Sequence, residues 1–229
     1  MKSKEIWKVY GNVFSEFTRR NLSKLSTEGY FEELTSPIAV GKESNVFSAK
    51  RRDGETVIVK IYRLENCNFN KMLDYISQDL RYASLKKNKR DIVFSWTQRE
   101  FRNLLKAREV IRVPTPLAFK YNIIIMEQIG RPAKQLKNNL PSNVEEFFKK
   151  TITCMAKLHK AGLVHGDLSE FNILNDENDP VFIDFSQSTT TESYNAKELL
   201  VRDVNNVCRF FGKFMKVDKE KVLKRILGK

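Results

Sequence analysis

The chain has 229 residues, 41% apolar and 30% charged, with only 9 Gly and 6 Pro. That length can bury a sizeable core, and the composition excludes a disordered, collagen-like or disulfide-scaffold chain. Lys and Arg number 41 against 28 Asp and Glu, a net charge of +13, which favours a polyanionic partner such as nucleic acid, although a thermophile-like Lys richness gives the same excess.

In chain order, residues 1–35 read as an amphipathic helical extension with Trp7, Tyr10, Val13, Phe14 and Phe17 on one face. The charged stretch from Met1 to Tyr10 has no signal-peptide pattern, and no apolar run is long enough to span a bilayer. Cys67, Cys154 and Cys208 lack CxxC spacing and read as structural thiols of a reducing cytosol. A soluble, cytoplasmic protein is expected, monomeric and without a membrane partner.

Ile38–Val40, Asn45–Ala49 and Thr56–Tyr62 read as strands, with a hairpin turn at Asp53-Gly54. Alternation in the third puts Ile58 and Lys60 on one face and Val57, Val59 and Ile61 on the other. A polar, basic segment follows over 64–91, carrying Arg81, Lys86, Lys87, Lys89 and Arg90. A helix is expected from about Trp96 to Arg108, with Glu100 on the inward face of Leu104 and Ala107. Two further strands, near Leu117–Phe119 and Ile123–Glu127, complete a five-stranded set before a polar linker at 131–139.

Ser142 and Glu145 read as the capping box of the next helix. Its apolar stripe is Val144, Phe147, Phe148, Thr151, Ile152, Met155 and Leu158, and Gly162 ends it. Then come L-V-H-G-D-L-S-E-F-N-I-L at 163–174, a strand at Pro180–Asp184 that runs into I-D-F at 183–185, and a final helical stretch from about Lys197 to Phe214. Asp167, Asn172 and Asp184 are the side chains phosphoryl transfer needs: one to orient or deprotonate the attacking hydroxyl, two oxygen donors for a cation on ATP. His165 reads as structural, and Asp203 as an anchor of the catalytic loop.

The order of parts is that of protein kinases and related phosphotransferases. G-K-E-S-N-V-F (41–47), V-K-I-Y (59–62), W-T-Q-R-E-F-R-N-L (96–104), M-E-Q-I-G (126–130), the 163–174 segment and I-D-F-S-Q-S (183–188) together resemble the RIO family of atypical serine/threonine protein kinases. The resemblance is to the subgroup without an N-terminal winged helix, in an archaeal or minimal form. It implies an α+β, two-lobed kinase-like fold: the helical extension 1–35, an N-lobe at 36–129 with a five-stranded sheet and the basic insertion, and a truncated, mainly helical C-lobe at 130–229.

It further implies that Lys60 bridges ATP phosphates and pairs with Glu100, and that Asn172 and Asp184 hold Mg²⁺, or Mn²⁺ in its place. Ile58, Met126, Glu127 and Ile129 would enclose adenine, the hinge through its backbone. A single glycine, Gly41, replaces the usual phosphate loop, so the Ser44 hydroxyl and nearby amides are expected to take over. No A-P-E segment follows Asp184, which leaves no room for a peptide platform and makes phosphorylation in trans inefficient.

The implied activity is that of an ATP-dependent kinase and ATPase in small ribosomal subunit maturation, with pre-small subunits and rRNA as partners. The protein itself is the expected phosphoacceptor, with a phospho-aspartate on Asp184. The flexible basic segment 64–91, with Ser77 and Ser84, reads as an autophosphorylation or rRNA-contact segment or equally as a mobile solvated loop. A small-molecule phosphotransferase or a tRNA-modification-complex kinase shares H-G-D-x-x-x-x-N and I-D-F, and a nucleotide-gated assembly factor is a third reading.

Overall fold

Residues 14–65, 67–78 and 88–228 are described by a computed structural model. Trp7, Tyr10 and Val13 of the expected extension, and Arg81, Ser84, Lys86 and Lys87 of the basic segment, lie outside them. Among the described residues the chain forms two compact units, one of 14–76, 88–98 and 116–128 and one of 77–78, 99–115 and 129–228.

The first unit is a five-stranded antiparallel sheet with helices. Strands β1 (Glu33–Val40), β2 (Ser44–Lys50), β3 (Thr56–Tyr62), β4 (Pro116–Lys120) and β5 (Ile123–Glu127) take the order β1-β2-β3-β5-β4. The Asp53-Gly54 turn forms as expected: Gly54 sits at φ 85°, where a side chain is disfavoured, and its amide donates to Arg51 O at 3.1 Å. Val57, Val59 and Ile61 enter one core cluster with Phe47, Ile123 and Ile125.

Helix α1 (Glu16–Thr27) covers that core with Leu22 and Leu25, at 0% and 1% exposure. Ser15 caps its start, and β1 begins at Glu33, so the described end of the expected extension, 28–35, turns from helix into strand. The basic segment is not all loop. Helix α2 (Phe69–Ser77) occupies part of it, burying Met72 and Ile76 at i, i+4 spacing.

Helix α3 (Lys89–Arg108) starts seven residues before Trp96 because Asn88 caps it, its amide oxygen accepting from Asp91 N at 2.9 Å. Its first part belongs to the first unit, where Trp96 meets Tyr75 edge-on.

The second unit is built on α4 (Val144–Lys160), α5 (Ala196–Phe211) and α6 (Lys219–Leu227), with short strands β6 (Lys134–Gln135), β7 (Leu163–Val164), β8 (Ile173–Asp176), β9 (Asp179–Phe182) and β10 (Thr189–Thr190). The apolar stripe of α4 is buried as its spacing predicts, from Phe147 to Leu158. Each such side chain contributes about 1.5–3 kcal/mol by leaving water. Phe211 of α5 packs against both Phe147 and Phe148. Helix α6 is an addition to the expected plan; Asp218 caps it, Val222 and Ile226 bury one face, and Gly228 ends it at φ 71°.

The start of α4 corrects the capping box. Asn143, not Ser142, is the cap, its oxygen accepting from Glu146 N at 3.0 Å. Ser142 instead donates from both its amide and its hydroxyl to Asn178 Oδ1, at 2.8 and 3.0 Å. Asn143→Ala is therefore expected to cost about 1 kcal/mol, seen as a melting shift of about 2–4 °C; no shift in calorimetry would leave the cap without energetic weight.

Candidate active site

The segment after β7 is held in place by backbone contacts before any chemistry is considered. Gly166 adopts φ 80°, and a Cβ there would lie 2.7 Å from Gln187 O. Only glycine suits both the conformation and the space. The amides of Gly166 and Leu168 donate to the two carboxylate oxygens of Asp203 at 2.7 and 2.8 Å, so Asp203 anchors the loop from α5 as expected. Burial pushes its carboxyl up to about 7, against the two amide bonds and the Arg202 guanidinium, which pull it down.

His165 is structural in the way its neighbours suggested. It is 3% exposed, packs on Phe182 and Phe185, and its Nε2 meets Ile183 O at 3.0 Å.

Asp167 and Asn172 are brought together. The Asn172 amide nitrogen donates to Asp167 O at 2.8 Å and approaches Asp167 Oδ2 at 3.3 Å. Asp184 joins them through the β8–β9 hairpin: Ile173 pairs with Phe182, and Ile183 N donates to Asn172 O at 3.0 Å. The hairpin thus sets Asn172 at its entry and Asp184 just past its exit. Asp184 itself is left-handed, φ 61° and ψ 72°, with its side chain capping a 3-10 turn, Phe185–Gln187. A non-glycine residue in such a conformation costs on the order of 1–3 kcal/mol, and such residues cluster at functional sites.

This donor set fits a cation that arrives with a nucleotide. Among the described residues no group of three or more His, Cys, Asp or Glu could cage a metal. Mg²⁺ is characteristically bound by one or two carboxylates plus phosphates and water. With its nitrogen engaged by Asp167, Asn172 offers its oxygen end, and Asp184 offers a carboxylate.

The first unit carries most of the other expected residues, largely on one sheet face. The register pairs Ser44 with Tyr62, Val46 with Lys60, Ser48 with Ile58, and Ile58 with Met126. Directly opposed residues share a face, so Ser44, Ile58, Lys60 and Met126 line the face opposite the core cluster. Lys60 is 6% exposed and lies over the Tyr62 ring. Glu127 pairs with Val57 and falls on the other face, which leaves only its backbone for the hinge role expected of it.

The Gly41 amide donates to Ser44 O at 2.9 Å, closing a tight turn, so it is engaged within the loop. Arg63 N and Cys67 Sγ both donate to Glu43 O, and burial pushes the Cys67 thiol up to about 11. Glu100, at 1% exposure, and Ile129, at 3%, belong to the second unit.

The RIO domain model matches residues 45–223. The chain belongs to the RIO family. The RIO-type serine/threonine-protein kinase Rio1 of Methanocaldococcus jannaschii is 39% identical over 89% of this chain and 71% of its own length. Rio1 of Haloferax volcanii is 37% identical over 92% and 74%. Human RIO1 is 35% identical over 87% of this chain, which spans only 37% of that protein.

Among solved structures, a Rio2 kinase–ADP/Mg²⁺–phosphoaspartate complex from Chaetomium thermophilum superposes with a TM-score of 0.68 at 25% identity, covering 89% of this chain and 64% of that one. The α+β kinase-like fold and the protein-kinase class expected from the motifs are thereby established.

Several residues that hold the RIO site together carried no role in the sequence reading. The buried Asn103 of α3 donates to Phe185 O and Ser188 O at 3.2 and 2.9 Å, and Arg99 to Ser186 O at 3.3 Å. Ser188 donates to His165 O at 2.8 Å, Arg202 to Gly166 O, and Asn206 to Leu168 O at 3.2 Å. The available signal was the buried polar face of α3 itself, Arg99 and Asn103 flanking Glu100 inside a helix otherwise expected to bury apolar residues.

Proposed function

We propose that this RIO kinase uses ATP with Mg²⁺, or Mn²⁺ in its place, to phosphorylate itself and to hydrolyse ATP in the cytoplasm during maturation of the small ribosomal subunit. The observation that carries the reading is the hairpin that sets Asn172, in contact with Asp167, at its entry and Asp184 just past its exit. Asp167 orients and receives the proton of the attacking hydroxyl, while Lys60 and Ser44 hold phosphate oxygens and Ile58 and Met126 face adenine. Asn172 and Asp184 would hold the metal, which when bound would supply charge neutralisation for the phosphates.

The Chaetomium Rio2 complex contains a phosphoaspartate with ADP and Mg²⁺. The residue proposed for that role here is Asp184: a carboxylate oxygen attacks the γ-phosphorus, ADP leaves, and water later cleaves the acyl phosphate to free phosphate. Net charge of +13 supports pre-small subunits and their rRNA as partners.

Incubation with [γ-³²P]ATP tests the reading. Self-labelling is expected to exceed labelling of casein, with part of the label released by hydroxylamine, as an acyl phosphate is and a phosphoserine is not. Efficient casein labelling without self-labelling would overturn it. Co-sedimentation with small subunits should weaken as salt rises; no association at low salt would remove the ribosomal partner.

A further inference from the structure

The second unit carries an open cleft of about 800 Å³ where α5 ends and α6 begins. Arg209, Lys213, Lys216 and Lys219 line it, with Met215 and Val217 as apolar floor. All four cations are exposed. Among the described residues none of them forms an ion pair. Arg209 donates to the Asn206 amide oxygen, and Lys213 lies over the Phe210 ring. The nearby acid Asp218 is engaged as the α6 cap, accepting from Lys221 N at 3.0 Å.

A second cleft, of about 640 Å³ beside α4 and the β8–β9 hairpin, shows the contrast. There Lys150 sits 2.6 Å from Asp179, and Lys149 2.6 Å from Glu145, so the charges are answered within the protein. The α5–α6 cleft gathers four cations without an ion-paired carboxylate among the described residues, an excess of positive charge that suits an anionic ligand. It also has an aromatic neighbour: Phe214, between Lys213 and Met215, is 47% exposed and held edge-on by Phe210 with ring centres 5.5 Å apart.

Cations that follow a phosphate backbone beside an exposed ring that takes a base are the elements of single-strand recognition, whereas a duplex keeps its bases stacked inside. We propose that the α5–α6 cleft binds single-stranded RNA, Arg209, Lys213, Lys216 and Lys219 contacting phosphates and Phe214 stacking on a base. The inference rests on the rRNA reading above for the kind of RNA.

Fluorescence anisotropy with the full chain and a labelled single-stranded RNA of about 12 nucleotides tests it. Lys213→Glu/Lys216→Glu is expected to weaken binding at least about tenfold and to flatten the log–log salt slope by about 1.4, two phosphate contacts at about 0.7 each. Phe214→Ala should weaken it about fivefold or more at an unchanged salt slope. Self-labelling should be intact in both.

Parent-like RNA affinity in the charge-reversal variant overturns the cleft assignment and leaves the rRNA reading standing. A parent chain that binds no small-subunit RNA at low salt overturns both. Polyglutamate binding that follows the two lysines, with RNA affinity indifferent to Phe214, makes the cleft a site for an acidic protein and overturns the proposal.

Discussion

Replacing Asp167 with Ala is expected to lower ATP turnover and self-labelling by about 10²–10⁴-fold, the range that a positioned acid–base group contributes. The fold should be little affected. The amides of Gly166 and Leu168 on Asp203, which hold the loop around Asp167, are left in place by the substitution. KM for ATP should also change little, because the proposed phosphate and metal contacts belong to Lys60, Asn172 and Asp184. Asp184→Asn should differ by raising KM for ATP as well as lowering kcat. Steady-state kinetics on both variants, with Tm as the control, separates the roles. Unchanged turnover in Asp167→Ala would remove its catalytic assignment, and small-subunit association that persists without turnover would favour the nucleotide-gated reading.

Gly166→Ala is expected to be a severely damaging single methyl group. Two independent costs add. A β-carbon at φ 80° is strained, and this one would press on the Gln187 carbonyl at 2.7 Å, a backbone atom that cannot rotate away. Strain of this kind with overpacking amounts to about 2–5 kcal/mol, or a melting temperature lower by roughly 5–15 °C for a chain of this size. Because the Gly166 amide and carbonyl are also the grips of Asp203 and Arg202, activity should fall further than stability alone explains. Calorimetry showing the parent Tm, with parent turnover, would mean that the loop can yield where the packing says it cannot.

The core strands and the chemistry were legible because each depends on residues close in sequence. The alternation around Lys60 and the stripe from Phe147 to Leu158 are periodic patterns, and H-G-D-x-x-x-x-N is a local spacing. What escaped notice depends on partners far along the chain. Asn103 reaches Ser188 and Arg202 reaches Gly166, contacts that no local pattern announces.

The choice between Ser142 and Asn143 as cap was decided by Asn178, which claims Ser142 from across the unit. Helix α6 was missed for a different reason. Its nine residues bury only Val222 and Ile226, too short a stripe for periodicity to separate from loop.

The turn that closes the β8–β9 hairpin, Glu177-Asn178, has φ 52° and 72°, the left-handed pair that suits a two-residue connection. Four strand pairs, from Asp176–Asp179 to Ile173–Phe182, separate it from the two proposed metal donors. The spacing of Asn172 and Asp184 is therefore set at the opposite end of the hairpin, like the jaws of a gauge whose opening is adjusted at the far end. One residue inserted in the turn would leave every catalytic side chain in the sequence. The slipped register would nonetheless send one strand's side chains to the wrong face, and the jaws would no longer close on the same ion.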